Sequence, residues 1–185
     1  MNKQELKEQI SGRKYKRDVE NRVIINMTVS DDADFLSVFS GSGTPVISSE
    51  VAEFLENATH AVLPKQQLVL KIFSTCIDNQ EQELYQAAIR EHYLERYIFN
   101  RRELKRNTAI AAVLTLFGIL ILAVSVFIGE YPNSTVWSEV TDIVAWVLLW
   151  EAVDIVAFKN RELRMKRWRY MAYISMKIEF HPDRQ

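Results

Sequence analysis

Thr108–Ile128 reads TAIAAVLTLFGILILAVSVFI, twenty-one residues without a charge and dominated by Leu, Ile, Val and Ala. At ~1.5 Å of rise per residue the stretch spans ~30 Å as a helix, the thickness of a bilayer's hydrocarbon core. Only a helix satisfies the backbone of a single segment in lipid, because its hydrogen bonds close within that segment. The buried helix of a soluble domain would be shorter and would keep a polar face. A first transmembrane helix is therefore expected at 108–128, and the rest of the chain is read outward from it.

Downstream, 129–135 (GEYPNST) carries turn signals in Pro132 and Asn133-Ser134 and is expected to be a short external turn. Tyr131 and Trp137 suit an interfacial aromatic belt. A glycosylation tripeptide at Asn133-Ser134-Thr135 is too short to carry weight. A second transmembrane helix is expected at 136–158, VWSEVTDIVAWVLLWEAVDIVAF. It holds Glu139, Asp142, Glu151 and Asp154, each costing ~2.5–3.5 kcal/mol near a bilayer centre and less near its ends.

The flanks set the expected orientation. Arg101, Arg102, Lys105 and Arg106 precede the first helix, and Lys159, Arg161, Arg164, Lys166 and Arg167 follow the second. The turn between has no Lys or Arg. The excess of cations on one side predicts a multi-pass plasma-membrane protein with both termini cytoplasmic. These cations can also meet anionic lipid headgroups, although orientation alone already demands them. The N-terminal residues are charged and lack the apolar core of a secretion signal, so targeting is expected to come from the internal segments.

Before the hairpin, a charged lead at 1–21 is followed by a domain at 22–107. Arg22–Ser30 (RVIINMTVS) and Gln67–Thr75 (QLVLKIFST) are β-branched and apolar and predict strands. Ser48 or Ser49 caps a helix whose apolar residues, from Val51 to Val62, recur at helical spacing until Pro64. Asp78 and Glu81 form a capping box for a long helix that runs without a breaker into the first membrane segment as a stalk. After the hairpin, 159–185 comprises a basic helix end and a strand at Tyr173–Phe180 that returns to the N-terminal sheet. The expected class is thus α+β: a two-helix transmembrane hairpin carrying a small cytoplasmic domain of about three strands. So small a sheet needs helix cover or a second subunit.

Composition excludes more than it assigns. The chain has 185 residues and a formal net charge of −1, which offers no footprint for nucleic acid. The lone Cys76 and three scattered histidines make neither a disulfide nor a metal-ligand spacing. Ser40-Gly41-Ser42-Gly43-Thr44 lacks the Lys and the strand-to-helix context of a phosphate loop. Asp31-Asp32-Ala33-Asp34 lacks the central Gly and terminal Glu of a calcium loop. His181-Pro182-Asp183 echoes a cochaperone tripeptide outside its helical context. No nucleophile–base arrangement stands out, so neither an enzyme nor a cofactor is expected. The seventeen-residue loop 31–47 is long enough to be functional, and nothing more recommends it.

One constellation carries chemistry. At about 100° per residue, Trp146, Glu139, Trp150, Asp154 and Glu151 all fall within about 180° of Asp142, on one half of the second helix. Intramembrane acids are functional candidates. Asp142, Trp146, Trp150, Glu151 and Asp154 are expected either to contact neighbouring copies in an oligomer or to line a cation path selected by carboxylate rings. The plainer alternative is that the outer acids are interfacial and the inner ones pair with Lys159 or Arg161. The leading expectation is a membrane protein that presents a cytoplasmic interaction or scaffolding domain. It would form a homo-oligomer and meet a cytoplasmic protein partner; an oligomeric cation channel or transporter is the alternative.

The run Trp137-Ser138-Glu139-Val140 to Trp150-Glu151-Ala152-Val153-Asp154, followed by basic residues, resembles uncharacterised small two-span membrane proteins of bacteria. The resemblance extends over most of the chain. It implies topology and a bacterial plasma membrane, and no activity.

Overall fold

The structure, a computed structural model, describes residues 15–41, 45–130 and 135–182. The lead before Tyr15, the Ser-Gly-Thr tip of the 31–47 loop, the turn at 131–134 and Asp183 all carry expectations above that lie outside the described residues. The chain divides into two compact units, one of Met1–Arg96 with Trp168–Gln185 and one of Tyr97–Arg167.

The first unit is built on three strands, β1 (Val23–Val29), β2 (Leu68–Ser74) and β3 (Lys177–His181), in the order β1-β2-β3 and all parallel. Parallel neighbours need a crossover, and α1 (Ser49–Ala58) supplies the one between β1 and β2. This strand–helix–strand connection is α/β in character, which corrects the α+β expectation. Side chains alternate across the sheet. Val23, Ile25 and Val29, Leu68, Leu70 and Ile72, and Ile178 turn to one face and are buried there. Against them pack Val51, Ala52 and Leu55 of α1, and Tyr85, Ala88, Ile89 and Tyr93 of α2 (Asn79–Gly129). Tyr173 of α4 (Asn160–Ile174) joins the same core, its ring stacked on Tyr93 at 4.2 Å between centroids.

The caps follow local chemistry. Ser48 Oγ accepts from Val51 N at 3.3 Å and starts α1. That helix stops at Ala58, short of the expected Val62; Thr59, just past its end, donates its Oγ1 to the Leu55 carbonyl at 2.9 Å and meets the Tyr173 hydroxyl. At the start of α2, Asp78 Oδ1 accepts from Gln80 N and Glu81 N, and Glu81 Oε2 accepts from Asp78 N, each at 2.8 Å. Tyr173 and Ile174, read as the start of a strand, are helical instead. Packing on Tyr93 holds Tyr173 in α4, and Ser175 Oγ closes the helix on the Met171 carbonyl at 2.8 Å.

In the second unit the apolar part of α2 packs on α3 (Thr135–Asp154), on a π-helical turn (Ile155–Lys159) and on the start of α4. Here the expected two-helix transmembrane hairpin is corrected. Among the described residues one helix, α2, is long and apolar enough to cross a membrane. Every 18-residue stretch of α3 holds at least three of Glu139, Asp142, Glu151 and Asp154. The summed insertion cost of those carboxylates removes it from that class.

Candidate functional site

Small residues at seven-residue intervals hold α2 and α3 together. Ala111, Gly118 and Ser125 on α2, and Ala145 and Ala152 on α3, are buried, with Ser138 half-buried. A Cβ added to Gly118 would come within 2.8 Å of the Leu149 side chain and 3.3 Å of the Ala145 carbonyl, so the two backbones approach as closely as glycine allows. Ser125 Oγ donates to the Ser138 carbonyl at 3.1 Å and lies 3.1 Å from Ser138 Oγ. Residues rising along α2 meet residues falling along α3 and α4, from Ser125 with Ser138 to Thr108 with Asn160, so the helices run antiparallel. A seven-residue repeat of small residues is the pattern that lets two helices keep one face in contact. The expectations were built on charge and missed it, although the spacing is legible in the sequence.

The π-helical turn explains which residue ends the contact. Continuing the α3 repeat by seven from Ala152 leads to Lys159, yet Lys159 is exposed and Asn160 is buried. A π turn admits an extra residue and delays the face by about one position. Asn160 Nδ2 then donates to Thr108 Oγ1 at 3.3 Å, while Lys159 swings to the outside.

That displacement decides the fate of the acids. Lys159 Nζ lies 2.9 Å from Glu151 Oε1 and 3.4 Å from Asp154 Oδ2, so one cation gathers the two inner carboxylates. All three side chains stay 40–52 % exposed, and in water such pairs contribute only ~0–1 kcal/mol. Trp146, Trp150 and Glu151 share an open, mostly apolar depression of about 590 Å³ with Leu114, Ile143, Val147 and Leu148. Asp142 and Asp154 stand outside its lining. The structure thus brings Trp146, Trp150 and Glu151 together, ties Asp154 to them through Lys159, and leaves Asp142 apart. Trp146 and Trp150 are 64 % and 73 % exposed.

Of the predicted headgroup cations, Arg101, Arg102, Lys105, Arg106, Arg161 and Arg164 are exposed. Lys166 pairs with Glu162 at 2.7 Å, one helical turn earlier, and Arg167 is half-buried.

The sheet unit offers a different kind of surface. The face opposite its core carries Ile24, Asn26, Thr28, Val69, Lys71, Phe73, Lys177, Glu179 and His181, and of these Val69 is buried. Glu179 Oε1 lies 2.8 Å from Lys177 Nζ and its Oε2 3.7 Å from Lys71 Nζ, and these cations hold the carboxyl below its usual range. Phe73 stacks on His181 directly across β2 and β3. Parallel sheets usually have both faces covered by helices; on this one the outer face is largely polar apart from Ile24 and the buried Val69. Compared with protein-family models, curated proteins and solved structures, the chain finds no match.

Proposed function

We propose that the chain is a membrane-anchored interaction protein, held in the bilayer by the apolar half of α2 and binding partners through its sheet unit. One observation carries the reading: only 17 % of the most apolar 18-residue window of α2 is buried within the protein. Leu116, Phe117, Ile119, Leu120, Val124 and Phe127 are all more than half exposed. A continuous apolar surface of that kind is unstable in water and stable in lipid. The flanking Arg101, Arg102, Lys105 and Arg106 are exposed just before the apolar stretch, where cations meet anionic lipid headgroups. The pairing of Glu151 and Asp154 with Lys159 supports a structural role for those acids rather than an ion path.

Carbonate-washed membranes from expressing cells test the anchor. The chain should stay in the pellet, and Leu116→Arg with Leu120→Arg, at ~2.5–3.5 kcal/mol each near the bilayer centre, should release it. A wild-type chain recovered monodisperse in the detergent-free supernatant would refute the reading.

A further inference from the structure

Among the described residues, most of the β1 edge that faces away from β2 has no backbone partner. Val23 N–H donates to Gln67 O at 2.9 Å, on the side of β2, and Ile24 N–H donates the opposite way, to Lys16 O at 2.9 Å. With a period of two along the strand, the backbone groups of Asn26 and Thr28 point outward like those of Ile24. Among the described residues no backbone partner meets them there. Tyr15–Arg17 covers only the beginning of the edge, through its bridge from Arg17 to Val23.

Beside the open part of the edge runs a groove of about 300 Å³. Its floor is β1 from Asn26 to Ser30, its far wall is Val51 and Phe54 of α1, and its rim carries Asp31, Asp34 and Glu50. No Lys or Arg lines it, and no ion pair joins those three carboxylates to a cation among the described residues. An edge strand beside an apolar helix wall fits an extended peptide: main-chain hydrogen bonds give affinity and the wall takes alternate side chains. The charge decides between occupants. Two copies meeting edge to edge would bring their acidic rims together, a like-charge arrangement that costs stability. A basic peptide neutralises them.

We propose that the β1 edge and the α1 wall bind an extended, basic peptide segment of a partner protein, which adds to the sheet as a fourth strand. The proposal rests on the reading of the sheet unit as the binding part of the protein and names where it binds and what charge it selects.

The test uses the full chain in an uncharged detergent and a fluorescein-labelled heptapeptide of alternating lysine and valine. Binding should raise its anisotropy and slow hydrogen exchange at the Asn26 and Thr28 amides. Asp34→Asn and Glu50→Gln should each weaken the affinity by about fivefold or less, as expected for rim charges. Thr28→Pro should abolish binding while far-UV circular dichroism is retained, because proline is tolerated where an edge N–H faces outward. The wild-type amide measurement stands whether or not that variant folds.

Unchanged exchange at Asn26 and Thr28 under saturating peptide would overturn the proposal. So would equal binding of an alternating glutamate–valine peptide, or of a lysine–proline peptide that shares the charge but cannot form the ladder. Amides already protected without peptide would show the edge filled by the chain's own N-terminal segment or by a second copy, and would overturn it too. Membrane pelleting is read separately, so a failed anchor and a failed binding edge give different results.

Discussion

Single residues in this protein act through what they exclude. His92 lies on α2 with its Nε2 buried and without a partner. Burial, with the Arg96 guanidinium beside it, holds the imidazole below its ordinary 6.5, against weaker opposing fields from Glu56 and Glu95. The unfolded chain therefore takes up the proton first as pH falls. Stability is full above the unfolded value and declines as pH drops from there toward the folded one. Between about pH 7 and pH 5, a window set by histidine rather than by carboxylates, thermal unfolding of the wild type should shift down. His92→Gln should shift less. Gly118 excludes a side chain altogether. Gly118→Val forces Leu149 or the helix backbones to move, at a cost of ~1–3 kcal/mol. Melting temperature in detergent reports this, and Leu149→Ala should recover part of the loss because the two positions share one space.

At the scale of elements, register matters more than propensity. The π turn at Ile155–Lys159 puts Asn160 into the contact with α2 and Lys159 beside two acids. An unbroken α-helix would present Lys159 to Thr108 and Ala111 instead, and an unpaired ammonium there is costly. Deleting one residue from the turn should therefore lower the melting temperature more than Lys159→Gln, which breaks only exposed pairs. Elsewhere the local signals suffice. Ser48 caps α1 by accepting from Val51 N, and Ser48→Ala should cost ~1 kcal/mol in chemical denaturation. The loop at 31–47 is pinned by buried Phe35 and Ile47, with Leu36 bridging to Ile47 and Tyr85 Oη donating to Asp32 at 3.0 Å. Its length therefore reflects a built connection along the groove.

Across the whole molecule the last strand completes the first unit. Val69 on β2 pairs with Lys177 on β3 across more than a hundred intervening residues, so the helical unit is an excursion between two neighbouring strands. Ile178 is buried in the sheet core, and Ile178→Ala should destabilise the sheet unit by ~3 kcal/mol. Ile178→Asp should unfold that unit, read as loss of protease resistance. Membrane pelleting should survive the change, because the anchor lies in the other unit. Coupled loss of both would show that the two units do not fold separately.

Local chemistry along the chain already dictates many elements. The runs at 22–30 and 67–75 are short, β-branched and apolar, as strands are, and the Asp78–Glu81 box with no later breaker starts a helix that continues into the uncharged stretch. The apolar character of that stretch is likewise a property of sequence alone. The tertiary structure decided what depends on neighbours. Strand direction and order hinge on which crossover packs, so the sheet is parallel, with one largely polar face, where an α+β domain was expected. α3 is as long as a membrane helix, but its four acids leave α2 as the one helix among the described residues that is both long and apolar enough to cross. The extent of α4 and the burial of Asn160 over Lys159 follow from a ring stacked on Tyr93 and from one extra residue in a turn. No local propensity records such contacts, because their energy arises only when distant segments meet.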